Sequence, residues 1–264
     1  MTERKIWRLI ACASHDASTN MAIDEAILEA RLLGVVPNTL RTYLFAPSAI
    51  SIGYAQDLSM DMLGCARQRG FDVVRRPTGG RAVLHHGDLT YSFVGSTEDG
   101  TLSSSVNTSY RQICSGLQYA MERLGITLQL GSGQGEYKQH QDCFAATTTA
   151  DLHIDGKKII GSAQVRRRGA LLQHGSILLD QDQSLMPEIL GASLPMDSQV
   201  KPVRHANLFE AAGRTFSILE LEAALSAGFE QAFQVTFNVG PLSDCEQELS
   251  ARLRQRYQLL ASCD

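Results

Sequence analysis

Hydrophobic and polar positions change period several times along the chain. After an opening strand over about 5–10, MAIDEAILEARLLG repeats apolar residues at helical spacing. Ser18-Thr19-Asn20 supplies capping groups and Gly34 a stop, which predicts a first helix over about 20–33. TLRTYLF and AISIGY are short β-rich runs around Ala46-Pro47-Ser48, the pattern of two strands joined by a turn. A helix over about 57–69 follows, ended by Gly70. The strand FDVVRR then runs into PTGGRAVLHHGD, and LTYSFVG resumes as a strand.

Residues 105–124 read as an amphipathic helix, whereas GSGQGEYKQHQDCFAATTTA is too rich in Gly, Gln and Thr for regular structure and is expected to be a long loop. DLHI and KKIIGSAQV alternate on either side of Asp155-Gly156, a pair suited to a two-residue type I′ hairpin, and ALLQHGSILL adds a strand after the Arg166-Arg167-Arg168-Gly169 turn. From about 183 onward the periodicity is mainly helical, in SILELEAALSAGFEQAF and ELSARLRQRYQLL, with a short strand expected between them. With no internal repeat and no flexible linker, the expectation is one α+β domain over 1–264 with a helical C-terminal extension over about 183–264.

Composition narrows the function classes. The 264 residues are 44% hydrophobic and 20% charged, enough for a large core, and the net charge of -4 lacks the basic excess of a nucleic-acid binder. The charged N-terminus has no apolar core of a secretory signal, and no run approaches the roughly 18 apolar residues of a membrane span. A cytoplasmic protein with no membrane and no nucleic-acid partner is expected. The cysteines at 12, 65, 114, 143, 245 and 263 show neither zinc spacing nor disulfide density, so they read as reduced thiols.

Four places could carry chemistry. Arg75-Arg76-Pro77-Thr78-Gly79-Gly80-Arg81 sets three guanidinium groups around a glycine turn, which suits a phosphate or carboxylate; the alternative is a tight turn flanked by solvated arginines. His85 and His86 follow, and since strand neighbours point oppositely, one can face a pocket while the other faces solvent; each also reads as a structural histidine. Cys143 lies in the polar loop with Lys138, His140 and Lys157 or Lys158 within reach, and nearby cations raise thiolate content; an unreactive loop cysteine is the other reading. In KKIIGSAQV only one of Lys157 and Lys158 can point inward, Gly161 and Ser162 would let a ligand lie against the strand, and Gln164 closes the motif. Gln173-His174-Gly175 breaks an apolar strand with polar groups that must find partners or line a cavity.

Taken in order, NMAIDEAIL, SIGYAQ, RRPTGGRAVLHH, DLTYSF, CF and DLHIDGKKIIGSAQVRRRGALLQHGSILL resemble the biotin/lipoate protein ligase family, over about residues 18–180 with a weaker helical match beyond. The resemblance implies a catalytic domain of mixed, largely antiparallel β-sheets flanked by helices, similar to the class II aminoacyl-tRNA synthetase and biotin synthetase-like architecture. The acyl group would be held between the TGGRAV turn and the GKKIIGSAQ strand, with Lys158 matching the family's pocket lysine. ATP-dependent lipoate ligases of the family usually carry three glycines in the first motif and often an accessory C-terminal domain. This chain instead reads Gly79-Gly80-Arg81 and ends at 264. A loop cysteine followed by Phe ahead of the DL...GKK hairpin is similar to the cysteine-dependent octanoyltransferase branch of LipM type. The other octanoyltransferase class has its cysteine downstream of the GSAQ strand, where this chain has none between 144 and 244.

The reaction so implied has two steps, without metal or nucleotide. Cys143 attacks the thioester of octanoyl-acyl carrier protein, and a lysine of a lipoyl domain or of glycine cleavage H protein then attacks the acyl-enzyme. Lys158 would stabilise the developing negative charge or hold Cys143 as thiolate. Arg76, Thr78, Gly79, Gly80, Arg81, His85, Gly161, Ser162, Gln164, Gln173, His174 and Gly175 are the substrate-binding candidates. Ile160, Leu172 and Ile177 are candidates for an acyl tunnel, and the arginines at 75, 81 and 166–168 for contacts with acidic carriers. An ATP-dependent lipoate ligase, an amidotransferase moving octanoyl between lipoyl domains, and a non-catalytic carrier-binding module are the competing readings.

Overall fold

Short apolar runs with period-2 alternation build two sheets in the computed structural model, which describes residues 4–57, 59–131, 151–180, 185–190 and 205–258. The strands are β1 (Ile6–His15), β2 (Thr39–Phe45), β3 (Ala49–Ile52), β4 (Asp72–Arg75), β5 (Val83–His85), β6 (Asp88–Ser96), β7 (Gln129–Leu130), β8 (Leu152–Ile154), β9 (Lys157–Arg167), β10 (Ala170–Leu178) and β11 (Thr236–Val239). The helices are α1 (Ala17–Leu32), α2 (Met60–Gln68), α3 (Val106–Arg123), α4 (Leu185–Leu190), α5 (Leu208–Ala212), α6 (Ile218–Phe233) and α7 (Asp244–Gln258).

Eight strands form one mixed sheet in the order β11-β1-β2-β6-β10-β9-β8-β7, parallel across β11, β1 and β2 and antiparallel from there on. The other three form a small sheet, β4-β3-β5. The expected α+β class with mixed, largely antiparallel sheets is therefore what forms. Alternation assigns the faces of the large sheet. Tyr91, Phe93, Leu171 and Ile177 pack with Leu117 and Met121 of α3 and Leu225 and Phe229 of α6. Val94 and Leu172 turn the other way, onto Ile23, Ile27 and Leu28 of α1. The small sheet has its own core, where Ile50, Ile52, Val73 and Leu84 meet Met62, Leu63 and Ala66 of α2 and Met186 and Ile189 of α4.

Local turn chemistry behaves as the sequence predicts. Asp155 and Gly156 have φ of 50° and 73°, the double left-handed geometry of a type I′ hairpin. Arg168 and Gly169 repeat it between β9 and β10, with φ of 45° and 87°. Helix starts shift. The first helix begins at Ala17 rather than near residue 20, because Asp16 is the cap, its carboxylate accepting from the Thr19 N–H at 2.7 Å. Asn20 is drawn elsewhere: its amide donates to the carbonyls of His15 and Leu44 at 3.1 and 3.0 Å, tying β1 to β2. The second helix starts at Met60, with the Ser59 hydroxyl accepting from Met62.

The described part of the C-terminal region is woven into the large sheet. The expected short strand is β11, which pairs with β1, and α7 packs on α1. Helix α6 lies against α3 through facing glycines: a Cβ on Gly228 would run into the Gly116 carbonyl and the Ala120 backbone. No described helix is long and apolar enough to cross a membrane.

Because that contact is backbone on backbone, Gly228→Ala cannot be absorbed by a rotamer change, and overpacking of this kind costs about 1–3 kcal/mol. The urea midpoint is expected to fall by a matching amount; an unchanged midpoint would show that α3 and α6 separate freely.

Candidate active site

Many of the buried polar side chains among the described residues gather where α1 and the two sheets meet. A pocket there encloses about 360 Å³, its open mouth included, and is lined by Met21 and Tyr43, by Ser51, Arg76, Val83 and His85 on the small-sheet side, and by Thr90 and the 161–163 and 174–176 segments. The last two segments are neighbours by register, Gly161 opposite Ser176 and Ser162 opposite Gly175. Glycine at 175 is required by space, since a Cβ would come 2.6 Å from Ser162 Oγ and 2.8 Å from the Tyr91 ring. The pocket wall is thus largely strand backbone.

Beneath it lies a buried ion network. Arg41 of β2 donates to Asp24 Oδ1 at 2.7 Å and to the Asn20 side chain at 2.6 Å, and its guanidinium stacks over the Tyr43 ring at 4.0 Å. Asp24 Oδ2 accepts from the Tyr43 hydroxyl at 2.8 Å and lies 3.1 Å from His174 Nδ1. Burial would raise the Asp24 carboxyl, but the His174 hydrogen bond and the Arg41 charge outweigh it and hold it below the usual carboxylate range. Burial lowers His174, helped by the charges of Arg76 and His85 and opposed by Asp24, so the ring is neutral near pH 7. Its Nε2 meets the Thr78 hydroxyl at 2.7 Å.

His85 repeats the pattern from the small sheet. Its Nδ1 lies 2.9 Å from Asp88 and its Nε2 2.9 Å from the Ser51 hydroxyl, with the ring stacked on Phe45. Asp88 also accepts from Ser176 at 2.6 Å and Thr90 at 3.2 Å. His86 points outward to Ser48, as strand alternation requires.

The arginines of the first motif mostly brace their own chain. Arg76 is buried and donates to the carbonyls of Ser51, Gly79 and Arg81 at 2.7–2.9 Å. Arg75 donates to the carbonyls of Gly53, Tyr54 and Gln56 at 2.7–3.0 Å. Gly53 is needed because Gly80, at φ 98°, presses its carbonyl where a Cβ would sit. Gly79 and Arg81 complete the turn, Gly79 exposed. Among the later arginines, Arg166 donates to the carbonyls of Ser103, Ser104 and Ser105 near the start of α3, and Arg167 pairs with Glu25 and Glu29.

On the opposite face of the large sheet, Tyr91, Ser162, Gln173 and Gln164 form a chain of hydrogen bonds: Tyr91 to Ser162 at 2.7 Å, Gln173 to Tyr91 at 3.0 Å, and Gln164 to Gln173 at 3.0 Å. Of the two lysines, Lys158 is the inward one, 1% exposed, with its ammonium 3.0 Å from Asp151. Lys157 is exposed. Lys158 stands on β9 three residues before Gly161 and does not line the pocket. Ile160 and Ile177 belong to the α3 core and Leu172 to the α1 core, so the three share no single channel.

Cys143, with Lys138 and His140, lies outside the described residues. No described cysteine lines the pocket. Burial pushes Cys12 and Cys114 up to about 11 and about 12, which leaves both as thiols. Sequence reasoning missed Asp24, Tyr43, Ser51, Asp88 and Asp151. The available signal was Asn20 and Asp24, one turn apart, on a helix otherwise apolar on that face.

A model of the lipoyl protein ligase A/B catalytic domain matches residues 16–230. Octanoyltransferase LipM of Symbiobacterium thermophilum is 40% identical over 253 residues, covering 92% of each chain. The LipM of Carboxydothermus hydrogenoformans is 38% identical and covers 95% of this chain and 96% of its own. Among solved structures, lipoate-protein ligase A bound with ATP superposes with a TM-score of 0.75 at 26% identity, over 95% of this chain and 94% of that one. A bi-partite lipoate protein ligase from Thermoplasma acidophilum shares the fold at 24% identity and a TM-score of 0.74, over 96% and 93%.

Two predictions test this geometry. Asp151→Asn leaves the buried Lys158 charge without its carboxylate and is expected to cost about 3–5 kcal/mol, while the paired change to Asp151→Leu with Lys158→Met recovers most of it. Equal destabilisation by both would show that the loss is not that of a stranded charge. Separately, His174, His153 and His15 all titrate below the usual 6.5, chiefly through burial. The folded state therefore binds fewer protons than the unfolded one, so stability is full above about pH 6.5 and declines as pH falls through the lowered values. Denaturation midpoints between pH 7.5 and 5 should drop, less steeply in His174→Gln; an identical slope would place the effect elsewhere.

Proposed function

Because the chain belongs to the lipoyl protein ligase A/B catalytic-domain family, we propose that it moves an octanoyl group from acyl carrier protein to a lysine of a lipoyl-accepting protein, through a thioester on Cys143. The observation that carries this reading is 40% identity to an octanoyltransferase LipM over 92% of both chains. The enzyme is an acyltransferase and works in the cytoplasm.

In the first step the Cys143 thiolate attacks the donor thioester carbonyl, the carrier's C–S bond breaks, and its thiolate leaves and takes a proton. In the second, the lysine amine of a lipoyl domain or glycine cleavage H protein attacks the Cys143 thioester. An amide forms, the amine gives up a proton, and Cys143 is released. Lys158 supplies positive charge for the oxyanion of each tetrahedral intermediate. Its burial strengthens the charge, which the Asp151 carboxylate at 3.0 Å shares with any bound oxyanion. The first-motif turn with Thr78, Gly79 and Gly80, and the Gly161, Ser162, His174 and Gly175 wall, hold the acyl thioester. Arg76 and His85 brace this site from the small-sheet side, Arg81 belongs to its turn, and Gln164 and Gln173 back Ser162 through Tyr91. Carrier docking draws on Arg168, exposed at the β9–β10 turn, more than on Arg166 and Arg167, whose guanidinium groups are engaged within the chain.

The fold shared with an ATP-bound lipoate-protein ligase A supports one alternative, activation of free acid by ATP. Intact-mass spectrometry separates the readings. Brief incubation with octanoyl-acyl carrier protein is expected to add one octanoyl group to the wild-type protein and none to Cys143→Ala. Acylation only by an octanoylated lipoyl domain would reassign the donor and make the enzyme an amidotransferase. No covalent adduct, with acceptor labelling dependent on ATP and free acid, would replace the transferase by a ligase.

A further inference from the structure

The turn that carries Thr78 is tied to a carboxylate on α1 by two hydrogen bonds in series. Asp24 Oδ2 lies 3.1 Å from His174 Nδ1, and His174 Nε2 lies 2.7 Å from Thr78 Oγ1. All three residues are at most 5% exposed. An ionised carboxylate can only accept, so the ring proton sits on Nδ1. A neutral ring then has a bare Nε2, which can only accept, so the Thr78 hydroxyl must donate inward. Each link allows one proton arrangement, and the order is imposed from α1. Arg41 and Tyr43 fill the remaining positions around the carboxylate, and Arg76 and His85 are the other charged and titratable groups that bear on the ring.

This tie differs from the other anchors of the turn. Arg76 grips the Gly79 and Arg81 carbonyls, Tyr54 N–H donates to the Thr78 carbonyl at 2.8 Å, and Gly80 rests on Gly53, all from the small-sheet side. Thr78 to His174 is a side-chain link from the turn to the large sheet, and the pocket lies between the two. Cutting it leaves each sheet with its own core, the turn with its other anchors and His85 on Asp88, but loosens the turn against the large sheet.

We propose that Asp24 is a positioning residue for acyl transfer: acting through His174, it locks Thr78 and the glycine turn against the large sheet and so sets the pocket that receives the acyl donor. The kinetic part of this proposal rests on the acyltransferase reading, whereas the proton arrangement stands on geometry alone.

Long-range proton–nitrogen NMR on histidine-labelled protein reads the arrangement directly. His174, assigned by the signals lost in His174→Gln, is expected to show a protonated Nδ1 and a bare Nε2, and Asp24→Asn to lose that pattern. Thr78→Val keeps the shape and removes the hydroxyl, so it tests the string even if Asp24→Asn does not fold. It should raise KM for octanoyl-acyl carrier protein about tenfold, the scale of one unpaired buried acceptor, with kcat within about twofold. Thr78→Ser should restore KM. Where Asp24→Asn folds, the double variant should be no worse than the poorer single one. A protonated Nε2 in the wild type, no rescue by serine, or multiplying KM effects would each overturn the proposal. The expected tautomer in a protein that transfers octanoyl from no donor would leave the string standing and sink the acyltransferase reading.

Discussion

The structure depends on a carboxylate placed where water cannot reach it. Asp24 is fully buried on α1, and an isolated charge there would be prohibitively costly. It is tolerated because β2 and β10 bring Arg41, Tyr43 and His174 to it, so helix, sheet and hydrogen-bond order must all form together. A buried ion pair of this kind is weak evidence for net stability, since desolvation offsets much of the attraction. Its consequence here is registry. With Asn20 one turn earlier holding Arg41, His15 and Leu44, α1 can sit on the sheet in one rotational and axial setting.

That setting explains how guanidinium groups are used. A run of arginines around glycines invites an anion-binding interpretation, yet Arg75 and Arg76 spend several donors on carbonyls of their own loop, and Arg166 does the same near α3. Turns that leave carbonyls pointing inward create acceptors that must be satisfied, and a planar fork with five donors does this with one side chain. The same residues can carry a motif and brace it.

The legible parts of the chain were those encoded locally. Asp155-Gly156 announces its hairpin because the turn type demands two left-handed residues, and the Gly79-Gly80 pair announces a close backbone approach, which is met by Gly53, whereas the crowding at Gly175 was not read from the sequence. The choice between Lys157 and Lys158 was half legible: alternation says one points inward, the family resemblance singles out Lys158, and the β8–β9 pairing and Asp151 show that it is the buried one. Asp24 was not legible as a site residue, because its meaning lies in His174, 150 positions away. Helix caps failed for a related reason, as Asn20 had stronger partners across β1 and β2 than at a helix end.

The two glycines at the centre of the wall show how the faces of one sheet are joined. Gly161 is on the pocket face beside His174 and Ser176, while Gly175 is on the α3 face under Tyr91 and Ser162. Neither glycine adds a side chain at this point, and on the α3 face Tyr91 and Ser162 close directly over Gly175, so the groups from Tyr91 to Gln173 lie one strand thickness from the pocket. Lys158, three residues upstream on β9, is about 10 Å along the strand from Gly161, at an extended rise per residue. A thioester held against the glycines would bring its carbonyl toward that ammonium only by lying along the strand. The backbone of β9, rather than any one side chain, therefore sets the distance between the glycine wall and the charge.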